Sequence, residues 1–137
     1  MISIEEGIVY LLKNNAGVSA LVSTRIYAQK LPQNPIMPAL TYQLITPMSL
    51  ISHQGMSGTA YPRYQITGWD TTVLGIIALM KAVRICLGCY KGTVGVAPNT
   101  VVIQASLPVG GHETYEPTTG LFMRSLDFEI WHAEALT

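Results

Sequence analysis

The run Tyr115–His132, Y-E-P-T-T-G-L-F-M-R-S-L-D-F-E-I-W-H, constrains the fold more than any other part of the chain. Pro117 fixes its own φ and Gly120 permits a left-handed backbone, so residues 116–120 are expected to form a tight turn. From Leu121 the residues alternate as a strand with two distinct faces. Phe122, Leu126, Phe128 and Ile130 share one face, interrupted by Arg124. Leu121, Met123, Ser125, Asp127, Glu129 and Trp131 share the other, which is mixed and more polar. A strand with this asymmetry belongs half-buried in an antiparallel sheet, its second face free to meet something outside the chain.

The rest of the chain supplies partners for that strand. Ser3 and Glu6 fit a capping box, and a helix over 3–14 places Ile4, Ile8, Leu11 and Leu12 on one stripe before Asn14, Asn15 and Gly17 end it. Val18–Val22 reads as a short helical turn and Arg25–Ala28 as a short strand. Pro32, Pro35 and Pro38 forbid both helix and ladder, so 31–38 is an extended, ordered connection. A strand over Ala39–Pro47 follows, then a long, mobile hairpin loop, Met48–Ala60, then a returning strand, Tyr61–Trp69. Asp70 is the expected N-cap of a helix over 71–87 that is apolar almost all round, with Gly88 as its stop. A helix without a polar face packs on the sheet and also meets a second surface. Residues 90–100 read as loop or irregular strand, Val101–Leu107 as a strand and Pro108–Thr114 as a second flexible loop. The expected architecture is therefore a single α+β domain: an antiparallel sheet of four to five strands with both helices packed on one face.

Composition limits what such a domain can do. The 137 residues suffice for one core without staples. Only 12% are charged, with eight basic residues against eight acidic. That is about half the usual ~25%, and a neutral, charge-poor domain is expected to be covered in part by partners, above all by copies of itself. No basic run marks a nucleic-acid footprint, and no apolar run is long enough to cross a membrane. Met1–Glu6 carries acid where a secretory leader carries base, so a soluble protein made in the cytoplasm is expected.

Candidate chemistry is sparse. Cys86-Leu-Gly-Cys89 has the spacing of a redox pair, but it falls at the C-terminal end of its helix, where the dipole raises rather than lowers a thiol pKa. His53, His112 and His132 lie far apart in sequence, so they do not complete a zinc site with the two cysteines. The expected roles are partly buried structural cysteines and surface or interface histidines. Asp127 and Glu129 share a strand face ~7 Å apart. That separation suits a glycosidase or metal pair, and equally an interface stripe paired with Arg or Lys across a neighbouring strand. Arg124, on the apolar face, calls for an acidic partner there or from a neighbouring subunit. No phosphate-loop pattern occurs. No cofactor, metal or catalytic residue is expected.

Several pieces, taken in order, resemble the tail-completion (tail-terminator, or tail-to-head joining) family of long-tailed bacteriophages. They are S-I-E-E-G-I-V-Y-L-L with G-V-S-A-L-V, then R-I-Y and L-P-Q-N-P-I-M-P-A-L-T-Y-Q, then Y-Q-I-T-G-W-D before a helix ending A-V-R-I-C-L, then Y-K-G-T-V-G-V, and finally the 115–132 run. The resemblance implies a non-enzymatic virion protein that forms a ring, usually a hexamer, at the head-proximal end of the tail tube. Its implied partners are the tail tube protein and a head-completion or connector protein, with genomic DNA passing through the lumen unbound. Another neck or head-closure protein, or a small thiol or hydrolytic enzyme, are the competing readings. On the first reading the candidate assembly interface comprises His53, Gln54 and Met56 on the long hairpin, Arg63, Glu113, Tyr115, Glu116 and Arg124, and the mixed face Asp127, Glu129 and Trp131.

Overall fold

A computed structural model describes residues 2–134. The long C-terminal strand, β8 (Leu121–Ala133), lies between neighbours along almost its whole length. On one flank β5 (Arg63–Asp70) pairs antiparallel with it from Arg63↔Glu129 to Asp70↔Phe122. On the other, β7 (Asn99–Glu116) pairs from Ile103↔His132 to Glu116↔Leu121 across the expected turn, where Gly120 has φ +71°. From β5 the sheet continues to β2 (Ala39–Thr46) and then to β1 (Ile26–Ala28), which runs parallel to β2. Beyond β7 it ends at β6 (Gly92–Val96). The sheet is thus mixed and eight-stranded, larger than the four or five antiparallel strands expected.

Three expected boundaries are corrected. The segment 48–60 is a paired hairpin rather than a loop: β3 (Ser49–Ser52) and β4 (Gly55–Ala60) turn at His53-Gln54, and β4 reaches β8 at Ala60↔His132. Pro108–Thr114 is likewise strand, part of β7. Pro108 and the two glycines conceal it in the sequence, yet an edge strand tolerates proline, and the missing side chain of Gly111 lets the backbone approach Ser125 O. The helix α3 (Val73–Leu87) is capped by Thr72, whose Oγ1 accepts from Gly75 N at 3.1 Å. Asp70 cannot serve as that cap because pairing with Phe122 holds it in β5. At the other end the left-handed residue is Cys89 (φ +58°), while Gly88 keeps φ −63°.

The helices α1 (Ile4–Asn14), α2 (Ala16–Val22) and α3 pack on one face of the sheet. Ser3 Oγ accepts from Glu6 N at 3.2 Å and Asn15 Oδ1 from Val18 N at 3.1 Å, so the first two helices start at satisfied amides. Ile8 and Leu12 of α1, Val18 and Val22 of α2, and Leu79 and Val83 of α3 are fully buried against Leu40, Ile66, Phe128 and Ile130 of the sheet. Tyr64 is buried beside them, and its hydroxyl donates to the Glu5 carboxylate. Burial, reinforced by that neighbouring carboxylate, pushes its phenol well above the ordinary range, so it stays a neutral donor.

Gly68 sets the distance between sheet and α3. A Cβ there would come within 2.5 Å of Met80 Sδ and 3.1 Å of Leu79 Cδ2. Gly68→Ala is expected to push α3 outward and cost about 1–3 kcal/mol in urea denaturation, as overpacking does. An unchanged unfolding midpoint would show that α3 is not seated on this strand.

Candidate assembly surfaces

The candidate interface residues fall into three places. His53, Gln54 and Met56 stand at the exposed end of the β3–β4 hairpin, and Ser52 Oγ stabilises its turn by donating to Gly55 O at 3.1 Å and accepting from Gln54 N at 3.3 Å. Leu50 and Ile51 are also exposed there, Ile51 by 74%. These two are successive in β3 and so point to opposite sides, leaving the hairpin apolar on both faces.

Glu113, Tyr115, Glu116 and Arg124 lie toward the turn joining β7 and β8. Arg124 finds its acidic partner within the chain: Glu113, directly across the ladder, receives its Nη2 at 3.0 Å. The Glu113 side chain is 59% exposed, so the pair contributes little to stability. Tyr115 packs on Phe122 with ring centroids 4.7 Å apart. Glu116 faces the other way and lines a cleft of about 590 Å³ together with Trp69, Leu121 and the proline-rich segment at Pro32, Pro35 and Met37. The turn of the opening run and the extended 31–38 connection thus meet, which their separation in sequence conceals.

Arg63, Asp127, Glu129 and Trp131 sit on the helix-free face. Arg63 donates both Nε (3.0 Å) and Nη2 (2.6 Å) to Asp127 Oδ2. Asp127 is only 7% exposed, and its Oδ1 has no partner among the described residues. The carboxylate is therefore half satisfied. Gly110 leaves room for the guanidinium, since a Cβ there would lie 3.0 Å from Arg63 Nη2. Glu129 accepts from Trp131 Nε1 at 2.9 Å, and Trp131 stacks on Tyr61 at 4.5 Å. Asp127 and Glu129 are thus each engaged locally. Further along the same face Thr41, Gln65, Thr67 and Ser125 form rows of uncharged polar side chains, with His112 beside Ser125. Trp69 Nε1 donates to Thr41 Oγ1 at 3.1 Å, and Gln65 Nε2 to Ser125 Oγ at 3.4 Å.

Two groups carry possible chemistry. Ser125 Oγ lies 2.9 Å from His112 Nδ1, but the serine is 1% exposed and also accepts from His112 N at 3.3 Å. That contact ties β7 to β8, and the pair lines a surface cleft with Gly110, Glu113 and Arg124. Cys86 and Cys89 are free thiols. Cys86 is buried, its Sγ directed at Leu11 O, and burial pushes it up to about 11; Cys89 is exposed. His132, expected at a surface, is buried beside Ile103, and its Nδ1 donates to Ala133 O at 2.8 Å. No group of three His, Cys, Asp or Glu side chains capable of holding a metal occurs among the described residues.

Sequence reasoning anticipated a second surface on α3 but not the apolar exposure leading into the hairpin. Leu74 (81%) and Ile85 (70%) on α3, and Leu44, Ile45 and Met48 leading into the β3–β4 hairpin, are all exposed. The all-round apolar character of α3 pointed to the first group. A signal for the second is that Leu31–Pro62 contains no Asp, Glu, Lys or Arg.

No family model and no curated protein matches the chain. Its fold is similar to that of a chain in a solved structure described as "Virion of native gene transfer agent (GTA) particle". That likeness has a TM-score of 0.70 at 15% identity and covers 96% of this chain and 92% of the other. At that identity the likeness establishes the fold.

Arg63→Ala leaves the buried Asp127 carboxylate without its donor and is expected to cost about 1–3 kcal/mol, seen as a lower denaturation midpoint. Asp127→Asn, which removes the charge, should cost less; an equal or larger loss would mean that the ion pair is not what the carboxylate needs. With a chromophoric thiol reagent at pH 8, Cys89 is expected to react at once and Cys86 only on unfolding. Because its thiol is shifted upward, any folded-state reactivity of Cys86 should rise toward pH 11. Rapid labelling of both thiols at pH 8 would restore the redox-pair reading.

Proposed function

We infer that this chain is a structural protein of a long-tailed phage-like virion. Six copies form a ring at the head-proximal end of the tail tube, which ends tube growth and offers a surface to the head-completion complex. The observation that carries the reading is the β3–β4 hairpin, an uncharged arm apolar on both faces and exposed in the single subunit. An arm of this kind has no reason to project into water; it is suited to being covered by a partner. The full-length likeness to a chain of a gene transfer agent virion supports the same reading, as do the sequence pieces that resemble the tail-completion family.

The proposed mechanism follows from the asymmetry of such a ring. A tube grows because each layer exposes a surface identical to the last, and a terminator matches that surface on one side and lacks it on the other. Each backbone contact made by the arm contributes only about 1 kcal/mol net, but repetition around a ring makes many weak contacts effectively permanent. The helix-free face suits a lumen through which DNA slides: its polar rows are neutral, and Arg63 is already neutralised by Asp127, so phosphates find no free cation on those rows. His53, Gln54 and Met56 are assigned to the contact with the tube, and Glu113, Tyr115, Glu116 and Arg124 to contacts between subunits or with the head.

Replacing Leu50–Gly58 by an Asn-Gly turn removes the arm while leaving the Ser49↔Ala60 pair that closes the hairpin. The variant is expected to fold with an unchanged circular dichroism spectrum and to give overlong or headless tails by negative-stain microscopy. Tails of normal length would sink the role given to the arm. Filled heads that leak their DNA, beside tails of correct length, would move the protein to head closure instead.

A further inference from the structure

The sheet has two open edges, and they lie on opposite flanks. On one flank β1 covers β2 only over Leu40–Tyr42, with Gln29 N adding a bond to Tyr42 O. From Gln43 through Ser52 the outward edge of β2 and β3 has no strand beside it among the described residues. On the other flank β6 covers β7 only from Asn99 to Ile103, and Cys89 N reaches Ser106 O just beyond. From Leu107 to Glu116 the outward edge of β7 is equally open among the described residues. Each such edge presents a row of backbone donors and acceptors, a template for another strand.

Proteins guard such edges with charged side chains, prolines and bulges. Here the β2–β3 edge carries no charge, and the β7 edge carries none before Glu113 and Glu116. Leu31–Pro62 and Gly92–His112 contain no Asp, Glu, Lys or Arg, so the chain's few charges lie almost entirely outside the two open edges. Pro47 and Pro108 interrupt them once each and each edge carries a bulge, between Leu44 and Thr46 and between Pro108 and Gly110, leaving Met48–Ser52 and Gly110–Glu116 as the continuous stretches. Strand direction also matches. β2 and β3 run with β8, while β7 runs against it. A rotation that carries one copy beside the next therefore sets β2–β3 of one antiparallel to β7 of its neighbour, the more favourable ladder.

We propose that copies of this chain join through these two edges, the β2–β3 edge of one adding to the open edge of β7 in the next. The contact is heterologous: each copy offers one edge and accepts the other, so the edges are all used only when the array closes into a ring. The β3 edge lies toward the Ala133 end of β8 and the β7 edge toward the Leu121 end. The join is therefore staggered along the strands, as a closed sheet requires. It pairs the outward backbone edge of the arm and leaves its two apolar faces free for the tube. This inference rests on the self-assembly proposed above and names the surfaces that perform it.

The test uses the full chain carrying Cys89→Ser, so that buried Cys86 is the one native thiol left. Ile51→Cys combined with Val109→Cys, treated with a short bis-maleimide, is expected to give a ladder of cross-linked species ending at a closed ring on denaturing gels. Ile51→Cys combined with Lys13→Cys, on α1, is expected to give none. In parallel, Ile51→Lys and Val109→Lys place a charge at each edge. Each is expected to yield monomers by light scattering with an unchanged circular dichroism spectrum and melting temperature. Rings that persist in both lysine variants, or an equal ladder from the control pair, would overturn the edge-to-edge join and leave the ring itself standing. A wild-type chain that stays monomeric even with purified tail tubes would overturn both this join and the function proposed above.

Discussion

The pairing of β8 on both flanks is the constraint on which the structure depends. A strand flanked along its length has no freedom of register, because a slip of one residue would exchange Phe128 and Ile130 for Asp127 and Glu129 at the helix face. The register fixes what each neighbour must supply. Opposite Phe128 stands Tyr64, whose hydroxyl reaches Glu5 of the first helix. Diagonal to Asp127 stands Arg63, and opposite Arg124 stand Gly68 and Glu113. Gly68 then admits α3, and α3 completes the core. Much of the molecule is in this sense an answer to the faces of one strand.

That strand was legible because alternation is a local signal, and so were the two long helices, whose apolar stripes repeat at a short period. The β7 partner was not. Pro108, Gly110 and Gly111 carry every mark of a loop, and what makes them strand is a neighbour that the local sequence does not contain. The same holds for 48–60, where weak local preference is overridden by pairing of β4 with the end of β8. The parallel β1–β2 contact was out of reach for a similar reason: three residues give no pattern, and the intervening proline-rich segment disguises the crossover.

The candidate surface residues divide in the same way. The exposed placement of His53, Gln54 and Met56 follows from turn chemistry, and the Arg–carboxylate pairing of Asp127 follows from face sharing across neighbouring strands. That Arg124 would find Glu113 required knowing that 108–114 is a strand. Which apolar residues remain wet is a property of the whole fold, since Leu79 and Leu74 are equally apolar in the sequence and only packing separates 0% exposure from 81%.

The scarcity of charge then acquires a physical meaning. A neutral subunit with few ionic groups gains little from water, and this one leaves apolar side chains on α3, an apolar arm and two open sheet edges unsatisfied together. Any one of these would be ordinary on a monomer. Their coincidence means that the free subunit and its partners in an assembly are not separate problems. An apolar, uncharged surface can be covered by a partner without the desolvation cost that buried ions impose. A charged group on the sheet is Asp127, whose second oxygen has no donor among the described residues and which sits beside Gly110, opposite it on β7. A donor arriving from outside along that strand would complete this carboxylate; Glu134, whose Oε1 is likewise buried without a partner among the described residues, lies at the far end of β8.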